Sequence, residues 1–242
     1  MVLISICGGI GTYNSGYTKT TQVFPYTLVM VPTTSIVNSS DNTNPGGGYG
    51  SVSANDQLAT AISYAIDYTN PIVLDFARNQ IQTSDAGAYN IAQICDVWEA
   101  IYNRWTYVRR VSAFKDVTPA SRTIDGGLNG NCLNYAILNA AAIESVGGRT
   151  RVTITQNALG ESHAYAEVFL TNNTTELESI ENYLAMRYPG TTMHYLSVHS
   201  QANGEYWMTL DWQANYPGAL LFHDNGEFCS YYPSGHYSCH TD

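Results

Sequence analysis

The chain has 242 residues, enough to bury a core as one large domain or two small ones, and its apolar share of 44% is ordinary for a globular protein. Charged residues make up only 12%, about half the usual share, and Tyr, Asn, Thr, Ser and Gly fill the gap. With 20 acidic against 10 basic residues the net charge is −10, which argues against a nucleic-acid or anionic-membrane partner, since both need basic patches.

Val2 to Cys7 is too short an apolar run for a signal peptide and no basic residue precedes it, and no stretch has the apolar length of a transmembrane helix. Few lysines and two groups of sequons (Asn38-Ser39-Ser40 and Asn172 to Thr175) lean instead toward an exported mature protein at the cell surface or outside the cell. Residues 1–50 read as an N-terminal extension packed on a main domain spanning 51–242. Val23 to Val37, broken by Pro25 and Pro32, suits one or two edge strands, and Asn38 to Gly50 is a loop by composition.

Asp56 to Tyr68 predicts a helix capped by Ser53 or Asn55. After the start signal Ser84-Asp85, a second helix is expected from about Tyr89 to Arg104. Its stripe of Ile91, Ile94, Trp98, Ile101 and Trp105 recurs at spacings of three and four. Trp105 to Val108 turns extended, and Ser112 to Asn129 reads as a polar loop.

That loop delivers the chain to Asn129-Gly130-Asn131-Cys132-Leu133-Asn134-Tyr135-Ala136, which opens an alanine-rich helix ending at Gly147-Gly148. A cysteine in the first turn of a helix lies where unsatisfied N–H groups and the helix dipole favour a thiolate, the nucleophilic form. Arg149 to Gln156 and His163 to Leu170 follow as alternating strands. On the second, His163, Tyr165, Glu167 and Phe169 share one face and Ala164, Ala166, Val168 and Leu170 the other. Thr174 to Tyr188 reads as an inserted helix. Met193 to Ser200 and Tyr206 to Trp212 read as strands joined through the hairpin signal Asn203-Gly204, and Asp224-Asn225-Gly226 as a further turn.

Cys132 needs a base, and His163 at the start of its strand is the candidate. The imidazole in turn needs an acceptor to fix its tautomer, and Asp211 is the candidate for that role. The Cys132 block, His163-Ala164-Tyr165-Ala166-Glu167-Val168 and Thr209-Leu210-Asp211, in this order, resemble the three blocks of the transglutaminase-like superfamily over roughly residues 85–215. Tyr165 stands where that family often has tryptophan, and residues 171–206 read as an insertion.

The resemblance implies an α+β fold with a papain-like, transglutaminase-like core: a cysteine at the N-terminus of a helix packed on an antiparallel sheet carrying His and Asp. It also implies acyl transfer through a thioester, with Cys132, His163 and Asp211 as the catalytic residues. The Cys132 N–H is the expected first oxyanion donor, with Tyr107, Asn131 or Trp105 as a second, and Tyr107, Asn131, Tyr165 and Trp212 are expected around oxyanion and substrate. The expected substrate is a protein or peptide, cell-surface or cell-wall peptide included. Hydrolysis by a cysteine protease is expected ahead of a transamidating cross-linker, and a non-catalytic binding module on the same scaffold is the rival from another class.

No cofactor or metal is expected. The tail spacing Cys229, His236, Cys239, His240 matches no standard zinc finger, and Cys229 with Cys239 is the favoured disulfide. Cys95 falls on the inner face of its helix and reads as a buried thiol. Cys132 is expected to be a free thiol, which leaves Cys7 over.

Overall fold

The computed structural model describes residues 29–32, 53–109, 117–189, 197–201, 203–219 and 227–240. The elements are β1 (Val29–Pro32), α1 (Ala54–Ala65), α2 (Pro71–Arg78), α3 (Ile91–Tyr102), β2 (Thr106–Tyr107), α4 (Ala120–Asp125) and β3 (Asn129–Gly130). They continue with α5 (Cys132–Ser145), β4 (Thr150–Gln156), β5 (Ser162–Thr171), α6 (Thr174–Arg187), β6 (Ser197–Ser200), β7 (Tyr206–Leu210), β8 (Phe228–Tyr231) and β9 (Tyr237–His240). The mixture is an α+β fold.

One sheet holds seven strands in the order β1-β6-β7-β5-β4-β8-β9. Its pairs are antiparallel except β1 on β6, which runs parallel at the edge. The register of the β4–β5 hairpin is set by its loop, where Asn157 accepts the Gly160 N–H and donates to Glu161 O. That register places Thr153 against Tyr165 and Arg151 against Glu167. A second hairpin closes between Gln201 and Glu205 around Gly204, which has φ +81°, as Asn203-Gly204 predicts.

Helix α5 is apolar all round, and every residue from Cys132 to Ile143 is buried, as a central helix requires. Its alanines at 136, 140, 141 and 142 bring neighbouring elements close, and it packs on β4 and β5 and against α2, α3 and α4. Ala164, Ala166 and Val168 of β5, Val152 of β4, and Met208 and Leu210 of β7 join it in one core. Burying each large side chain there stabilises the fold by about 1.5–3 kcal/mol.

Three expectations change. Helix α2 lies where none is expected, although Asn70 caps it by accepting the Ile72 N–H and Pro71 stands in its first turn. Helix α4 and strand β3 interrupt the supposed loop Ser112 to Asn129, whose residues 112–116 lie outside the described part. The helix after Ser84-Asp85 starts at Ile91, capped by Asn90, while Thr83–Asp85 forms a separate 3-10 turn. The edge strand expected between Val23 and Val37 is found at Val29–Pro32. Asn38 to Gly50, Cys7, His194 and the turn Asp224 to Gly226 lie outside the described residues.

Helix α6 packs lightly, with only Leu177 and Leu184 buried, and is held by charge. Arg187 donates to Asp96 at 2.6 Å, to Glu99 at 2.9 and 3.0 Å and to the Tyr183 hydroxyl at 2.9 Å, which ties α6 to α3. Among the described residues no helix is long and apolar enough to cross a membrane.

Candidate active site

Cys132 is the first residue of α5, and its position is set by a reciprocal cap. Asn131 accepts the Asn134 N–H and the Asn134 side chain accepts the Asn131 N–H, both at 3.1 Å. The preceding residue must be glycine, because a Cβ at Gly130 would lie 2.6 Å from Asn134 Cβ and Oδ1. Upstream, Gly127 and Leu128 both take positive φ, turning the chain from α4 into β3 beside β2. With its N–H and its side-chain oxygen both used in the cap, Asn131 serves to place the helix.

His163 begins β5 and Asp211 directly follows β7, so antiparallel pairing brings both to one end of the sheet. Both are buried, and His163 Nε2 bonds Asp211 Oδ2 at 2.6 Å. The other carboxylate oxygen accepts the Gln213 N–H at 3.0 Å, so the carboxylate is fixed before it meets the imidazole. A carboxylate on Nε2 fixes the tautomer and leaves Nδ1 as the nitrogen for proton exchange. Asp211 also bears on α5. Burial pushes the Tyr135 phenol well above its ordinary range, and the Asp211 charge adds to the shift. Tyr135 is one turn from Cys132 on the same face of α5.

Aromatic rings frame this end of the fold. Tyr107 stacks on Trp212 with centroids 4.2 Å apart, joining β2 to the segment after Asp211, and both rings are half-buried. Trp105 meets the Tyr135 ring edge-on at 5.1 Å. Tyr165 is buried between two imidazoles, 6.2 Å from His163 and 6.3 Å from His199.

On the same sheet face lies a charged network that the sequence only half reveals. Glu167, fully buried, accepts from Arg151 Nε at 2.7 Å and from the Thr153 hydroxyl at 2.6 Å. His199 Nδ1 pairs with its other oxygen. Burial alone would push the Glu167 carboxyl up, but Arg151 and His199 outweigh it and hold the group well below the carboxylate range. Arg151 lies over the Trp207 ring at 4.3 Å and donates to Tyr232 at 3.1 Å. Phe228 stacks between His199 and His240. Glu167 is therefore a hydrogen-bonded structural carboxylate. His199, on β6, is its partner.

Cys229 and Cys239 face each other across β8 and β9 and form the expected disulfide. Cys95 is a buried thiol, pushed up to about 12 chiefly by burial. Cys132 departs from expectation. It is disulfide-bonded, and its partner lies outside the described residues. Among the described residues no group of three or more His, Cys, Asp or Glu is arranged to hold a metal ion.

No family model matches the chain, and no curated protein matches it. A solved structure described as "Crystal structure of a TGase" is similar at 14% identity, over 76% of this chain and 38% of that one. The TM-score is 0.29, and the chain spans well under half the length of that neighbour.

Proposed function

We propose that this chain is a cysteine-dependent acyl-transfer enzyme acting on peptide or isopeptide amides, and that water is its normal acceptor. The observation that carries the reading is the buried 2.6 Å contact between His163 and Asp211 at the end of the sheet where Asp211 also bears on the first turns of α5. A fixed carboxylate on one imidazole nitrogen sets the tautomer, and the other nitrogen is the one that exchanges a proton with the nucleophile in this reading.

In this reading the Cys132 thiol, once reduced, loses its proton to His163 and the thiolate attacks the amide carbonyl. The negative oxygen that forms is placed at the start of α5, with the Cys132 N–H as its first donor. His163 then protonates the departing amine, leaving a thioester on Cys132. It next takes a proton from water, whose oxygen attacks the thioester, and it returns a proton to the sulfur as the acid leaves. Asp211 holds the ring in place and faces the imidazolium. Trp212 and Tyr107 stand beside Asp211 and β3 as the substrate-facing pair, and a peptide is the expected substrate class.

The test is incubation of reduced protein with a quenched peptide library and a primary amine, read by mass spectrometry. Cleavage with water added at the new carboxyl is expected. Dominant incorporation of the amine would assign transamidation instead, and a Cys132→Ala variant that still cleaves would remove the assignment.

A further inference from the structure

A cavity of about 340 Å³ opens where the end of α2, the loop after the 3-10 turn, the start of α3 and the end of α5 meet. It lies at the opposite end of α5 from Cys132, about 20 Å away along the helix, and is therefore separate from the His163–Asp211 end. Ile81, Ala86 and Val146 give it apolar walls, and Arg78, Gln93 and Ser145 give it polar groups. Those groups differ in kind. Gln93 is only 3% exposed, and its Nε2 donates to Asp85 O at 2.9 Å and to Gly87 O and Ala88 O at 3.4 Å. Its Oε1 is left as a positioned acceptor that takes no hydrogen bond among the described residues. Ser145, the last residue of α5, spends its proton on Ala142 O at 2.7 Å and so presents lone pairs at the negative end of the helix dipole. Arg78 is the opposite: exposed in the last turn of α2, it has no ion pair or hydrogen bond among the described residues. The nearby carboxylates do not serve it, since Asp85 is engaged with Ser84 and Arg187, and Glu144 with Thr150.

From this arrangement we infer that the cavity binds a small zwitterion, a free α-amino acid with an apolar side chain. The ammonium donates to Gln93 Oε1 and Ser145 Oγ, the carboxylate pairs with Arg78, and the side chain lies against Ile81 and Val146. Each charge meets its complement: two acceptors and a helix C-terminus for the cation, a guanidinium for the anion. A plain carboxylate would leave both acceptors unmet, and an amine without a carboxylate would leave Arg78 unpaired, so the site favours a ligand that carries both ends. The volume is that of a small-molecule pocket and holds one such ligand. The inference goes beyond the acyl-transfer reading and uses no step of it.

The experiment titrates L-leucine into the full isotope-labelled chain and follows amide shifts by NMR. Isocaproate, which lacks the ammonium, and L-leucinamide, which lacks the carboxylate, are titrated alongside. Expected are saturable shifts at Gly87, Val146 and the Gln93 side-chain amide, with millimolar or tighter binding of leucine. Arg78→Gln is expected to weaken leucine about tenfold or more, and each control compound to bind wild type weaker by a similar factor. Ala86→Trp puts an indole into the cavity from an exposed, extended position and is expected to abolish the shifts while the rest of the spectrum stays as in wild type. No shift with leucine at tens of millimolar would overturn the inference. Isocaproate binding as tightly as leucine would overturn it in favour of a plain anion site. Leucine shifts that survive both Arg78→Gln and Ala86→Trp would overturn it by placing the ligand elsewhere. No catalytic step is read, so either result leaves the acyl-transfer reading to its own test.

Discussion

Replacing Glu167 by glutamine should cost this fold more than any surface change, because it strands a buried cation. Glu167 and Arg151 are both fully buried and bonded at 2.7 Å. Glutamine keeps an oxygen that could still accept from Thr153, but it removes the charge that balances Arg151 and His199. Among the described residues Arg151 would keep the Tyr232 hydroxyl and ring and the face of Trp207. Breaking a buried pair from one side typically costs about 3–5 kcal/mol. At this chain length that corresponds to a loss of roughly 6–20 °C in Tm. The assay is urea and thermal unfolding of wild type, Glu167→Gln, and the double replacement Arg151→Met with Glu167→Leu. Removing both charges together should recover most of the loss, since a buried ion pair and a well-packed apolar pair differ little in net stability. A Glu167→Gln variant within 1 kcal/mol of wild type would refute the claim that this network is a buried, charge-balanced unit.

Other outcomes follow from the same coordinates. Glu167 titrates lower in the folded chain than in the unfolded one, so its stabilisation is complete above about pH 4.5 and erodes as pH falls below that value. Urea midpoints should therefore drop more steeply between pH 5 and pH 3 in wild type than in Glu167→Gln. Gly130→Ala should displace the Asn134 side chain, break the reciprocal cap and leave a buried N–H unpaired, costing about 2 kcal/mol by denaturant unfolding. Arg187→Ala removes the clamp on α6 and leaves the buried Asp96 with only Gln82 as donor. A loss of about 2–4 kcal/mol is expected, with faster amide exchange across α6 than across α5. Asp211→Asn should lower the rate of amide cleavage by roughly 10²–10⁴-fold while leaving Tm within a few degrees.

What the sequence revealed and what it hid divide along physical lines. Helix α5 was legible from its unbroken apolar, alanine-rich run ending at Gly147-Gly148, α6 from a helix-forming stretch after the Asn172-Asn173 start, and β4 and β5 from their alternation. Cys132 at a helix start, His163 on β5 and Asp211 just after β7 were picked out by the roles the chemistry needs and by the order of their motif blocks. Helix α2 was missed because its eight residues give barely two turns, too few for a period to stand out, although Asn70-Pro71 is a legitimate start signal. Helix α4 is shorter still and has no side-chain cap, so nothing local announces it. The Arg151–Glu167 pair was hidden in a register: two strands were visible, but which residues oppose each other depends on the loop at 157–161. His199 reaches Glu167 from β6 across the intervening β7, a contact that no spacing within one strand encodes. The reciprocal cap of Asn131 with Asn134 was not read from the sequence, although a buried helix start must satisfy its own N–H groups. The bond at Cys132 depends on which sulfur the fold brings near, and five cysteines in a list do not say that.

The most direct test of the central claim is where an acyl group lands. Fully reduced protein is mixed with an activated ester, quenched in acid within seconds, and digested for peptide mapping. The account predicts one acyl group per chain, on Cys132, absent from Cys132→Ser and formed far more slowly in His163→Ala. Acylation on another residue, or none at Cys132 while that thiol is shown to be reduced, would contradict it.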